Sequence, residues 1–226
     1  MRCKQTRATG QWPSVNPVHN PFNQSTDTSS PTTVMTDQKI YINAQDLLLD
    51  SFELGAQILL SGFRPNFIIG VWRGGTPVGI AVQEIMDYFD VKTDHIAIRT
   101  SSYTGIGQRS KQVQVHGLGY IVRTINAEDA LLIVDDVFDT GSSIQAIIAE
   151  LQVRTRKNTP HDIRVATPWY KPSNNKTDRE PDYYIHSTDR WLVFPHELHG
   201  LDDTEIHENK AGLRPIFDRV RAATAK

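Results

Sequence analysis

The chain has 226 residues, of which 38% are hydrophobic and 22% charged, and its formal net charge is −2. This is an ordinary globular composition, and the charge excludes a global basic field that would recruit nucleic acid. Cys3 is the single cysteine, which excludes an internal disulfide and a cysteine-based zinc site; no apolar run approaches the roughly 18–20 residues of a membrane span, and a cytoplasmic setting is expected.

Residues 1–34 are rich in Ser, Thr, Asn, Gln and Pro and lack hydrophobic periodicity. They are expected to be a disordered extension. Asp27 is their only acid, against Arg2, Lys4 and Arg7. That bias faintly suggests a targeting segment, but no amphipathic pattern supports one, and a tail or an over-long gene start fits better. A single domain is expected over 35–226.

The elements then alternate. "NAQDLLLDSFELGAQILLSG" predicts a helix capped by Asn43, with Leu48, Phe52 and Leu59 near one face, ended by Gly62 and Pro65. "NFIIGVW" reads as a buried strand. After "RGG", the stretch "TPVGIAVQEIMDYF" predicts a second helix, with Thr76 capping and Pro77 at its first position. "HIAIRTSSY" is a strand, followed by a polar stretch over 104–119. "ALLIVDDV" is another buried strand, "SSIQAIIAELQVRT" a helix and "DIRVATPWYKP" a strand. Beyond Pro172 the chain turns irregular, which predicts a small subdomain. Near the C-terminus, "LRPIFDRVRAATA" predicts a short helix packing Leu213, Ile216, Phe217 and Val220 against the core. No internal repeat occurs.

Continuous apolar strands alternating with helices predict an α/β fold with a central parallel sheet flanked by helices. Ligands then bind at the C-terminal strand ends. Three loops should meet there: 73–75, 101–119 and 135–143.

The last of these holds the densest chemistry. In "LLIVDDVFDTGSS" an apolar strand runs into Asp135 and Asp136, then Asp139, Thr140, Gly141, Ser142 and Ser143. The helix that follows leaves free N–H groups and a partial positive charge, Gly141 permits close approach, and three hydroxyls add donors: a phosphate cradle. Carboxylates beside a bound phosphate must face something else, and sugar hydroxyls, with or without a magnesium ion, satisfy both demands. Competing motifs fail. The chain lacks G-x-x-x-x-G-K-[ST], "GIGQRS" lacks a third glycine, and "HELH" at 196–199 is one residue short of H-E-x-x-H. The Asn-x-Ser/Thr matches at Asn23 and Asn175 are read as incidental.

The stretch resembles the phosphoribosyl diphosphate (PRPP) signature of type I phosphoribosyltransferases, over roughly residues 40–200. "VWRGGTPVG" is similar to that family's pyrophosphate loop and "SSYTGIGQRSKQV" to the mobile loop of its purine-salvage branch. The resemblance implies a small C-terminal hood over about 172–200 together with an N-terminal segment, and a cis peptide bond at Arg73-Gly74. It implies that Asp135 and Asp136 hold the ribose hydroxyls and magnesium, and that Thr140, Gly141, Ser142 and Ser143 hold the 5′-phosphate, with Asp139 beside them. Arg73, Gly74 and Gly75 would take the pyrophosphate. Ser102, Tyr103 and Arg109, with Lys111, would belong to the lid.

For the acceptor, the branch that uses 6-oxopurines has a lysine past a strand end and a stacking aromatic about twenty residues on. The resemblance places these at Lys171 and Trp191, with backbone recognition at Trp191 and Leu192. A carbonyl base needs a donor and a flat heterocycle an aromatic face. Glu197 would approach the magnesium, and Asp139 would face purine N7 as the catalytic acid–base group. The expected reaction transfers the phosphoribosyl group of PRPP to N9 of hypoxanthine, guanine or xanthine, releasing pyrophosphate. Relatives imply a homodimer or homotetramer. Three rivals have the same fold: a phosphoribosyltransferase for another base, a PRPP-sensing regulator that binds nucleic acid, and a non-catalytic regulatory subunit of the PRPP synthase kind, against which Asp139, Lys171 and Trp191 argue. A basic face, which this composition lacks overall, would favour the regulator.

Overall fold

The chain is described here by a computed structural model, which describes residues 39–103 and 112–224. Asp37–Lys226 form one compact unit. The expected extension over 1–34 and the lid residues Arg109 and Lys111 lie outside the described residues.

In chain order the elements are β1 (Ile40–Tyr41), α1 (Ala44–Leu60), β2 (Phe67–Trp72), α2 (Gly75–Tyr88), β3 (Asp94–Tyr103), β4 (Gln112–His116), α3 (Gly119–Thr124), β5 (Ala130–Val134), β6 (Val137–Phe138), α4 (Ser142–Thr155), β7 (Asp162–Tyr170), β8 (Tyr183–Ser187), β9 (Leu192–Val193), α5 (Asp203–Asn209) and α6 (Arg214–Thr224). The main sheet runs β4-β3-β2-β5-β7, with β6 and β8 also on β7. Its pairs are parallel, as expected, except that β4 folds back antiparallel on β3. Within the polar stretch 104–119, Gln112–His116 are therefore a strand. β8 likewise extends the sheet into a region expected to be irregular.

Alternation along the strands makes two cores. Phe67, Ile69 and Val71 of β2 and Leu131 and Ile133 of β5 face Ile121 of α3 and Ile144, Ile147 and Leu151 of α4. On the other face Ile68, Leu132 and Val134 meet Leu47, Leu54 and Ile58 of α1 and Val78, Val82 and Met86 of α2. Helix α4 occupies the predicted residues, while α1 and α2 carry corrections. Asn43 caps α1 as expected, accepting from the Asp46 N–H at 2.8 Å. The buried face, however, is Leu47, Ser51, Leu54, Gly55 and Ile58, whereas Leu48 is 42% exposed. Leu47 lies one position from Leu48, a turn of about 100° around a helix. Thr76 does not cap α2; the helix already starts at Gly75 with Gly74 at the cap and no side-chain cap bond.

The C-terminal helix α6 forms, but not against the core: Ile216 and Val220 are 45% and 53% exposed. It is tied instead to α5, with Arg221 Nη2 donating to Asp203 Oδ1 at 2.6 Å. None of the described helices is long and apolar enough to cross a membrane.

The correction to α1 can be checked by denaturant unfolding. Leu47→Ala should cost about 2–5 kcal/mol, as for other buried leucines. Leu48→Ala should stay within roughly 1 kcal/mol, as partly exposed positions do.

Candidate active site

The acid pair sits where a strand is interrupted. Val134 of β5 faces Ala166 of β7, and Val137 of β6 faces Trp169, so both strands follow one register on either side of Asp135 and Asp136. The ladder continues through Asp135 N–H to the Ala166 carbonyl at 3.2 Å. The next donor on β7 would be Pro168, which has no N–H. Pairing lapses for two residues, and the acids occupy the gap.

The loop after β2 closes over that gap, because β2 lies beside β5. A Cβ on Gly74 would stand 1.7 Å from Asp136 Oδ2; one on Gly75 would stand 2.4 Å from the Val134 carbonyl oxygen and 2.6 Å from Asp135 Cα. Only glycines allow this approach. Arg73 is exposed at the same turn. The cis peptide bond is Trp72-Arg73, one residue earlier than expected. Strand β2 pairs through Trp72, and Gly74 already has helical angles as the cap of α2, so the junction lies before Arg73.

Burial, and then the neighbouring Asp136 charge, raise the Asp135 carboxyl well above the usual carboxylate range. Opposing this, the Asp136 N–H donates to Asp135 Oδ1 at 3.0 Å, and the Gly75 backbone adds a hydrogen bond. The loop thus supplies amide dipoles but no cation.

Residues 139–143 form the predicted turn into α4. Gly141 has φ +73°, and a Cβ there would lie 2.6 Å from Thr177 Oγ1 and 2.9 Å from the Phe138 ring. Ser142 N–H donates to Thr140 Oγ1 at 3.3 Å, and Thr100 Oγ1 donates to Ser143 Oγ at 3.5 Å. Ser142 and Ser143 stand half-buried at the first turn of α4.

Asp139 is differently placed, with its side chain 42% exposed. Asn174 Nδ2 donates to its Oδ1 at 2.8 Å, and Lys171 Nζ stands 3.7 Å from its Oδ2. Lys171 leaves β7 beside Phe138, whose carbonyl accepts its N–H at 2.9 Å.

Trp191 and Leu192 lie on the two-stranded β1-β9 sheet. Ile40 N–H donates to the Trp191 carbonyl at 2.7 Å and Ile42 N–H to the Val193 carbonyl at 3.0 Å. In a parallel pair this turns the Leu192 N–H and C=O away from β1. The Leu192 side chain is buried and Trp191 is 58% exposed.

Glu197 is not brought to the acids. Its Oε2 accepts from the Phe194 N–H at 3.1 Å and its own N–H donates to the Phe194 carbonyl, so the side chain closes its own turn. His196 takes that place, with Nε2 3.5 Å from Asp136 Oδ2 and its ring stacked on Phe194. Ser102 and Tyr103 end β3, whose hairpin partner β4 starts at Gln112.

Two neighbours of the site, Asn174 and Thr177, went unread in the sequence, and His196 was considered only as part of a failed zinc motif. Thr177 had a signal. Asn175 Oδ1 accepts from both the Thr177 N–H and Oγ1 at 2.9 Å, so the Asn-x-Thr spacing marks an Asx turn that carries Thr177 against Gly141.

Two measurements check this geometry. Gly74→Ala should abolish or displace the loop's packing on Asp136 and cost more than roughly 2 kcal/mol of stability, the scale of forced overpacking. Asp135→Asn should stabilise the ligand-free protein near neutral pH. An acid whose pKa is raised on folding favours the folded state only while protonated, so its penalty is absent below the unfolded value near 3.8 and grows as pH rises through the raised folded value. The gain in Tm, about 2–4 °C per kcal/mol for a chain of this size, should vanish in acid.

A model of the phosphoribosyl transferase domain matches residues 37–200. The chain is 25% identical over 175 residues to a hypoxanthine-guanine phosphoribosyltransferase of Staphylococcus epidermidis, covering 76% of this chain and 89% of the relative. Its fold is similar to that of a purine phosphoribosyltransferase from Pyrococcus horikoshii, with TM-score 0.56, 26% identity and coverage of 73% of this chain and 97% of the other. It also matches a Neisseria gonorrhoeae protein solved with ppGpp bound, with TM-score 0.59, 19% identity and coverage of 78% and 98%. With its apolar strand ending in paired acids, its glycine turn and its cradle at the start of α4, the chain belongs to the phosphoribosyl transferase domain family.

Proposed function

We propose that the protein is a purine phosphoribosyltransferase that joins a 6-oxopurine to PRPP, giving a nucleoside 5′-monophosphate and pyrophosphate. The observation that carries the reading is the pairing of Lys171 with Asp139 at 3.7 Å. It joins a cation suited to a purine 6-oxo group to the acid that follows the ribose pair. In this reading residues 39–42 and 172–200 form the hood above the base.

Thr140, Gly141, Ser142 and Ser143 hold the 5′-phosphate through hydroxyls and the N–H groups opening α4. Asp135 and Asp136 accept from the ribose 2′- and 3′-hydroxyls. Hydroxyl donors bring no negative charge and relieve the repulsion within the pair. Arg73 and the backbone of Gly74 and Gly75 take the pyrophosphate. As the bond from C1′ to pyrophosphate breaks, its electron pair leaves with pyrophosphate and C1′ gains oxocarbenium character, which the fixed carboxylates beneath the sugar favour. Purine N9 bonds to C1′. Asp139 accepts the proton at N7, or a hydrogen bond from it, while Asn174 holds its other oxygen. Trp191 offers the stacking face, Lys171 donates to the 6-oxo group, and the Leu192 backbone reads the base edge.

The donor set fits magnesium shared with substrate. Two adjacent acids whose charge the fold compensates only in part suit a hard cation, yet no group of three His, Cys, Asp or Glu converges among the described residues. Such a site binds through one or two carboxylates and substrate oxygens rather than in a protein cage. Asp135 and Asp136 would hold it, directly or through ribose hydroxyls or water, and when bound it supplies neutralisation of the pyrophosphate leaving group.

Purified protein should be assayed with PRPP, magnesium and, separately, hypoxanthine, guanine, xanthine, adenine, uracil and orotate. Nucleotide is expected from at least one oxopurine, and none from any of them overturns the reading. Asp139→Asn should lower kcat by roughly 10²–10⁴, the range for one acid–base group. Near-normal turnover removes its role.

A further inference from the structure

The family match ends at residue 200, but the chain continues into α5, which touches the β1 segment and whose C-terminal cap, Lys210, reaches the turn after β9. Glu205 Oε1 accepts from Lys39 Nζ at 2.5 Å and from the Tyr41 hydroxyl at 2.8 Å, both on the β1 segment. Its other oxygen, Oε2, accepts from the Asp202 N–H at 3.0 Å and closes the capping box that starts α5. One carboxylate therefore fixes the helix start and β1 together. At the other end of the helix Lys210 Nζ donates to the Phe194 and Pro195 carbonyls at 2.8 and 3.0 Å, just past β9.

Each contact has the marks of a built one. The Lys39 and Glu205 side chains are each only 25% exposed. The hydrogen bond from Lys39 draws the Glu205 carboxyl down to about 2, while burial and Glu205 push the Tyr41 hydroxyl up to about 12. Lys210 is half-buried, and the resulting desolvation lowers its pKa. An ammonium in such a place must be repaid by its partners. The sheet it supports needs help, because each strand has only two residues and an isolated two-stranded sheet is marginal in water.

We propose that α5 is a clamp on the hood, in which Glu205 and Lys210 act as positioning residues for the base end of the active site. Glu205 holds β1. Lys210 holds the turn that leaves β9, so that the Leu192 backbone and His196 keep their places. Neither residue touches a reacting atom. This role rests on the proposed oxopurine activity, but the clamp itself does not.

The test uses the full chain with Lys210→Met, which keeps the aliphatic stem, Lys210→Arg, which keeps the charge, and Glu205→Gln, which can still close the capping box. Hydrogen exchange is read without substrate. In Lys210→Met and Glu205→Gln the Ile40 and Ile42 amides should exchange about tenfold faster or more, as loss of a charged hydrogen bond implies, while β2 and β5 keep their protection. KM for the oxopurine should rise about tenfold on the same grounds, with kcat and KM for PRPP within about twofold of wild type, and Lys210→Arg should restore most of the loss. Wild-type exchange at Ile40 and Ile42 in Lys210→Met overturns the clamp. A loosened hood with unchanged KM overturns the positioning role. A wild-type protein that turns over no oxopurine strikes the proposed function, and the substrate-free exchange still decides whether α5 clamps the hood.

Discussion

Asp135 and Asp136 repel each other in a place that water reaches poorly, and much of the surrounding fold is arranged around that cost. Pro168 interrupts the β5–β7 pairing opposite the acids, and the glycine turn after β2 lies directly on them. What the fold supplies in compensation is partial: backbone dipoles from Asp136 and Gly75, and a histidine at 3.5 Å. A raised Asp135 pKa is the direct consequence. Buried charges left short of partners are costly in a ligand-free protein, and they cluster where a ligand supplies the missing partner. In the proposed reading the hydroxyls and the cation arrive with the substrate, so part of the binding free energy comes from relief of a repulsion built into the acid pair.

Asp139 shows the opposite design three residues later. It is substantially exposed and already has two partners, Asn174 and Lys171. An acid held this way has a fixed direction and does not depend on substrate for its charge balance. The short turn therefore contains two kinds of carboxylate: a tense pair short of partners, and an oriented one that the proposed reading makes the proton acceptor. Position relative to the sheet produces the difference. The pair lies beneath the β2–α2 turn, and Asp139 lies beyond the β6 bridge, at the rim.

The sequence was most legible where local signals and tertiary demands agreed. Helix α4 follows from its apolar spacing and the glycine before it, and the cradle follows with it. The α1 face was misread because a run of three leucines, Leu47 to Leu49, carries no periodic signal of its own; packing on α2 and the sheet selected Leu47. The capping of α2 was misread because Thr76-Pro77 is a good local start, but the close approach of Gly74 and Gly75 to the acids sets the helix two residues earlier. Strand β4 was missed although Val113 and Val115 alternate with polar residues and Val115 packs against the core, because the run is only five residues long and follows a polar stretch. Pro168 was the one readable hint that the ladder would break beside the acids.

The two halves of the site differ in how their residues are gathered, and this explains what a single sequence discloses. The phosphoribosyl half is nearly contiguous: one strand end, one turn and one helix start within nine residues, joined by a glycine turn from the neighbouring strand. Its chemistry can be read in order along the chain. In the proposed reading the base half is braced by contacts between distant parts of the chain. Lys39 meets Glu205 166 positions away, and Tyr41 meets the same carboxylate across 164. Lys210 secures a turn fifteen and sixteen residues back. No local pattern announces such contacts, and each loses chain entropy before it gains a partner. If α5 braces the base half as proposed, that half can be retuned through Glu205 and Lys210 without altering Asp135, Asp136 or the turn at 139–143.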